Sequence, residues 1–184
     1  MLFSFGKSEL EDQEHLVRQF REHLGSVDVL VCNAGSNKFQ PFHLVDATEW
    51  WDIMELNVRT PVELTRIVLP EMRERNQAVI IYNSSRAAKV DLPWTTAYSC
   101  AKTSITRFAG TLQVELDQVQ KIEKGADNNI SVFSIHPGEI DINLHEKSFP
   151  EKTKREAPYV IEHMVKIGAK RPHFEAAFPA WTCV

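Results

Sequence analysis

Ala78-Val79-Ile80-Ile81-Tyr82-Asn83-Ser84-Ser85 is the stretch on which the fold turns. Its apolar, β-branched start is that of a strand buried in a parallel sheet, and it stops abruptly in small polar residues. Two further runs have the same form. Val27 to Cys32, interrupted only by Asp28, ends in Asn33-Ala34-Gly35, and Ile130 to His136 is closed by Pro137-Gly138. Helical patterns lie before and between them. Ser8 and Glu11 form a capping box ahead of Leu16, Val17, Phe20 and Leu24, and Gly25 supplies the stop. Asp46 and Glu49 cap a second helix running to about Arg73, with Trp50, Ile53, Met54 and Asn57 on one side, and Pro61 is expected to bend or break it. A third helix is expected from Thr95 to about Gln118. Alternating helices and strands predict an α/β class with a parallel sheet and crossover helices.

In open parallel sheets ligands gather outside the carboxyl ends of the strands. Here those ends are Asn33-Ala34-Gly35, Ser84-Ser85 and Pro137-Gly138, and the start of the third helix is expected beside them. That helix carries Tyr98 and Lys102, an i, i+4 pair on one face, with Ser85 thirteen residues upstream. A neighbouring ammonium favours a phenolate, so the pair is a proton-transfer device in outline, with the tyrosine drawn below its ordinary value near 10. General acids and bases work best when their pKa approaches the working pH.

Composition narrows the alternatives. The chain has 184 residues, 43% of them hydrophobic, which suits one globular domain with a core. A net charge of -4 gives no electrostatic case for nucleic acid or an anionic membrane. No apolar stretch approaches the roughly 20 residues of a membrane span. The opening Met1 to Phe5 is too short for a signal peptide, so a cytoplasmic protein is expected. Cys32, Cys100 and Cys183 lack CxxC spacing, and His145, His163 and His173 lack partners at metal-site spacing, so neither a disulfide framework nor a metal site is expected. Gly6-Lys7-Ser8 is not a P-loop, because the first glycine would have to replace Met1. Trp50 and Trp51 read as packing groups, with one facing the core, His136 as a packed or solvated residue, and Lys152 to Glu156 as an exposed helical face.

Asn33-Ala34-Gly35, Asn57, Ser84-Ser85, Tyr98-x-x-x-Lys102 and Pro137-Gly138, in this order between about Val27 and Asn143, resemble the classical short-chain dehydrogenase/reductase family. The resemblance implies a Rossmann-like sheet and NAD(P)-dependent hydride transfer to or from a small carbonyl or alcohol substrate. It makes Tyr98 the catalytic acid/base, Ser85 a hydrogen-bond partner of the substrate carbonyl, Lys102 a ligand of the nicotinamide ribose that also lowers the tyrosine pKa, and Asn57 the support of a proton relay through water. It assigns Asn33, Arg66, Tyr98, Lys102 and Ile140 to cofactor binding. Reducing a carbonyl builds negative charge on its oxygen, and serine and tyrosine hydroxyls stabilise that charge as the tyrosine proton moves. NADP is the cofactor implied by the wider family, with NAD an alternative. Homo-oligomers in this family form through the helices matching the Asp46 and Thr95 segments.

The match also has departures. Ile142 stands where the family commonly has threonine, although Asn143 follows. The seven glycines contain no GxGxxG, so the diphosphate-binding turn is absent, and the first strand corresponds to the family's fourth. The chain stops at Val184 after a weakly familiar Phe174 to Trp181 stretch. The expectation is one partial Rossmann-like domain over 1–184, truncated at both ends, with about three strands and two bare edges. The alternatives are a catalytically impaired remnant, a binding module completed by a partner chain, and a proton-transfer enzyme that does no redox chemistry.

Overall fold

Strands β1 (Val29–Cys32), β2 (Ala78–Asn83) and β3 (Ile130–Ile135) pair in parallel in the order β1-β2-β3, with Val29 opposite Val79 and Ala78 opposite Ile130. The structure is a computed structural model and describes residues 10–138 and 148–168. Helix α1 (Leu10–Leu24) precedes the sheet, and α2 (Ala47–Met54) and α3 (Thr60–Arg75) connect β1 to β2. Helix α4 (Thr96–Lys124) connects β2 to β3, and α5 (Glu151–Glu156) and α6 (Pro158–Gly168) follow. The Rossmann-like arrangement of the α/β class is therefore present. Among the described residues, no helix is long and apolar enough to cross a membrane.

One face of the sheet forms the core. Ala78, Ile80 and Tyr82 of β2 and Ile130 and Val132 of β3 alternate inward, against Val68 and Met72 of α3 and Ile105, Ala109, Leu112 and Leu116 of α4. The α4 residues recur at intervals of four and three, the period of a single helical stripe. Tyr82 is completely buried, and its hydroxyl shares a 2.6 Å hydrogen bond with Thr65, which also bonds Pro61 O at 2.7 Å. That partner makes a phenol tolerable in the core. A second cluster joins Phe39, from the loop after β1, to Phe149, Ala157 and Val160.

Four local features differ from expectation. The first strand begins at Val29 rather than Val27, because α3 side chains take the preceding backbone: Val27 N donates to Glu71 at 2.9 Å, and Arg75 donates to Val27 O at 2.7 Å and to the Asp28 carboxylate. Nor is β1 buried on both faces, since Val29 and Val31 are 55% and 46% exposed, and Phe133 and Ile135 of β3 are exposed on the same side. Pro61 does not break the second helix. The helix widens into a π-turn over Glu55–Arg59, with Thr60 N donating to Glu55 O, and Pro61 then sits in the first turn of α3, where no N–H is required.

The third helix runs past Gln118 to Lys124 and stops at Gly125, which takes φ 61° and donates to Lys121 O. Helix α1 does stop at Leu24, and Asp46 caps α2 by accepting from Thr48 N and Glu49 N. Ser8, the Ile140 to Asn143 loop and Phe174 to Trp181 lie outside the described residues.

Replacing Met72 by alanine removes a fully buried side chain from the α3–sheet contact. Denaturant unfolding is expected to show a loss of about 2–5 kcal/mol, against a change within about 0.5 kcal/mol for the exposed Val114→Ala.

Candidate functional site

The carboxyl ends of β1 and β2 and the first two turns of α4 meet at one edge of the sheet. Lys102 lies on the second turn of α4, is only 4% exposed, and donates from Nζ to Asn83 O at 2.7 Å. That carbonyl ends β2, so the lysine ties helix to sheet at the strand terminus. Burial lowers its pKa from 10.5 to about 8, with Cys32 nearby acting in the opposite direction. At neutral pH it therefore still carries most of its charge.

One turn earlier, the Tyr98 ring lies 5.4 Å from Lys102 Nζ, and its hydroxyl lies near the Ser85 side chain. Its pKa is raised from 10.0, chiefly by burial and against the effect of the neighbouring Ser85 hydroxyl. The direction is opposite to the sequence expectation. The ammonium lies toward the ring rather than on the phenolic oxygen, and desolvation of a phenolate outweighs what it offers. The phenol is thus a held proton donor. Ser85 follows β2, extended at φ -155°, and its Oγ also accepts from Ala87 N at 3.2 Å, so the turn after the strand fixes it.

Asn57 enters from the π-turn, a local widening that often marks functional positions. It is buried, and its Nδ2 donates to Ser36 O and Ile53 O, both at 2.9 Å. Its Oδ1 is buried without a hydrogen-bond partner. Gly35 explains how the groups fit. A Cβ built there would stand 2.6 Å from Asn57 Oδ1 and 3.3 Å from Lys102 Nζ, so only glycine leaves that space. Asn33, at the end of β1, accepts from Asn83 Nδ2 at 2.7 Å and joins the same edge.

The structure thus brings together Ser85, Tyr98, Lys102, Asn57 and Asn33. Arg66 is placed otherwise: it is exposed on α3, pairs with Glu63 at 3.0 Å, and lines a cleft of about 370 Å³ with Glu14, Arg18, Arg21 and Ile67. Ile140 lies outside the described residues. Gly35 and Asn83 were visible in the sequence only as strand-end punctuation. Their roles come from close approach and from a main-chain carbonyl, which residue type alone does not reveal.

These residues fit the nicotinamide and ribose end of a dinucleotide. An ammonium has three donors, and one of those on Lys102 goes to Asn83 O. The orphan acceptor Asn57 Oδ1 and the close-packed Gly35 lie beside it. The fit concerns that end only.

Comparison with known proteins agrees. The family model described as short chain dehydrogenase matches residues 2–153. A short chain dehydrogenase of Pseudocercospora fijiensis is 33% identical over 181 residues, covering 96% of this chain and 55% of that protein. The solved structure of a short-chain dehydrogenase from Streptomyces avermitilis superposes with a TM-score of 0.74 at 26% identity, covering 92% of this chain and 60% of that one. A metagenomic short-chain oxidoreductase solved in complex with NADP gives a TM-score of 0.64 at 25% identity, covering 74% and 58%. The chain spans about half the length of the curated relatives it matches. With the family model running through most of the sequence and the solved relatives sharing its sheet and helices, the chain belongs to the short-chain dehydrogenase/reductase family.

Proposed function

We propose that this chain carries the proton-transfer half of an NAD(P)-dependent oxidoreductase acting on a small carbonyl or alcohol. The observation that supports this most is the meeting of Ser85, Tyr98 and Lys102 at the carboxyl end of β2, with Asn57 and Gly35 packed against the lysine. A nicotinamide dinucleotide, when bound, supplies the hydride for carbonyl reduction. NADP is favoured over NAD by the likeness to the metagenomic oxidoreductase solved with NADP.

Tyr98 is the catalytic acid. Burial keeps its phenol protonated at neutral pH, so a substrate carbonyl can take its proton as negative charge develops on oxygen. Ser85 Oγ, near the phenol, is the second donor to that oxygen and positions the substrate against Tyr98. Lys102, held by Asn83 O, would offer its remaining N–H groups to the ribose hydroxyls, and its ammonium stabilises the phenolate left once the phenol has given up its proton. The unpartnered Oδ1 of Asn57 accepts from a water that refills the proton on Tyr98. Asn33 stands on the cofactor side, at the end of β1. The helix in which Arg66 pairs with Glu63 gives that arginine no part in these steps.

Tyr98→Phe keeps the ring and removes the proton. Carbonyl reduction followed by NADPH absorbance is expected to fall by about 10²–10⁴-fold with the fold unchanged, as for loss of a general acid. Full activity in Tyr98→Phe, with activity lost only in Lys102→Ala, would sink this mechanism. Gly35→Ala places a methyl group on Asn57 Oδ1 and against the lysine ammonium. Calorimetric titration with NADPH is expected to show weakening of at least about tenfold, the effect of losing one good polar interaction; unchanged binding would remove Gly35, Asn57 and Lys102 from the cofactor's surroundings.

A further inference from the structure

Trp94 has a backbone that its residue type resists. It lies in the left-handed region at φ 64°, four residues before Tyr98 and two before α4 begins. Among the described residues the only other non-glycine with positive φ is Asn76, an asparagine ending α3, which is a residue and a place where that geometry is common. A tryptophan in that region persists only when its surroundings impose it, and such positions cluster at functional sites.

The surroundings do impose it. Trp94 O accepts from Gln40 N at 2.9 Å, which anchors the turn to the loop after β1. Its indole meets the His163 ring edge-on, with centroids 4.9 Å apart and planes at 88°, and the Tyr159 ring at 6.3 Å and 66°. Both rings belong to α6, and the indole packs on the cluster of Phe39, Phe149, Ala157 and Val160. The next two residues are held as well. Thr95 is buried, donates to Leu92 O at 2.9 Å and hydrogen-bonds Ser99 Oγ, while Thr96 Oγ1 accepts from Trp50 Nε1 at 3.1 Å. The left-handed turn therefore sets the direction in which the first turn of α4, carrying Tyr98, leaves the loop.

We propose that Trp94 is a positioning residue: the seating of its indole against Tyr159 and His163 of α6 holds the left-handed turn that aims the Tyr98 phenol at Ser85. The segment after β3 thereby controls the tyrosine without touching it. Only the catalytic consequence rests on the acid/base reading of Tyr98; the aiming of the phenol does not.

The chain has three tyrosines, so labelling their ring Cζ carbons gives three NMR signals, and Tyr98→Phe identifies the one from Tyr98. In Trp94→Ala the Tyr98 signal is expected to move and its titration to shift down toward the ordinary 10.0, because a released first turn exposes the phenol. Trp94→Phe is expected to restore both. The double variant Tyr159→Ala, His163→Ala changes only exposed side chains and leaves Trp94 in place, so it decides the matter even if Trp94→Ala fails to fold. It is expected to reproduce the shift with unchanged far-ultraviolet circular dichroism. A Tyr98 signal and titration identical to the parent in the folded double variant would overturn the proposal. Carbonyl reduction measured on the same samples is expected to lose rate at unchanged NADPH affinity. If the NMR shifts appear while Tyr98→Phe retains full activity, the acid/base reading fails and the positioning role stands.

Discussion

A buried ammonium on a strand-end carbonyl organises this molecule. Lys102 is almost wholly enclosed, and an enclosed charge is tolerable only with partners that replace water. Its partner is Asn83 O, the last carbonyl of β2, so the requirement that stabilises the lysine also fixes where α4 crosses the sheet. Tyr98 follows from that placement, one turn earlier on the same face and within reach of Ser85 just past the same strand. The hydrophobic stripe from Ile105 to Leu116 then seats the rest of α4 on the core.

Asn57, from the π-turn, and Gly35, from the loop after β1, complete the enclosure. The π-turn that accommodates Pro61 also turns Asn57 inward, where its amide nitrogen is satisfied by two carbonyls and its oxygen is not. Gly35 is required there for space rather than for backbone freedom, since a Cβ would occupy the gap between the asparagine and the lysine. The edge of the site is therefore built from main-chain and small groups packed against the lysine.

Much of this was legible in the residues. The three strands, their order, the cap at Asp46, the stop at Gly25, and the Ser85, Tyr98 and Lys102 spacing are local signals, and local signals survive folding when helices and strands are regular. What escaped was set by residues distant in sequence. Glu71 and Arg75 occupy the backbone at Val27 and Asp28, shortening β1, and no strand pattern announces that. The direction of the Tyr98 shift depends on burial against the placement of a cation, which spacing on a helix does not give. Arg66 carries the right charge but faces the α1–α3 cleft, because its pairing with Glu63 on the next turn is a surface event. Trp94 gave no signal, since a positive φ on a tryptophan is imposed wholly by its neighbours.

Titration of the Lys102 ammonium by NMR, on chain labelled at the lysine side chains and assigned with Lys102→Arg, is the most direct measurement. Burial disfavours the charged form, so protonation at this lysine is weakened and the proton leaves earlier than from a lysine in water. A midpoint near 8 is expected, separated from the exposed lysines. A midpoint at the ordinary 10.5 would place the ammonium in solvent and contradict the enclosed hydrogen bond to Asn83 on which the site is built.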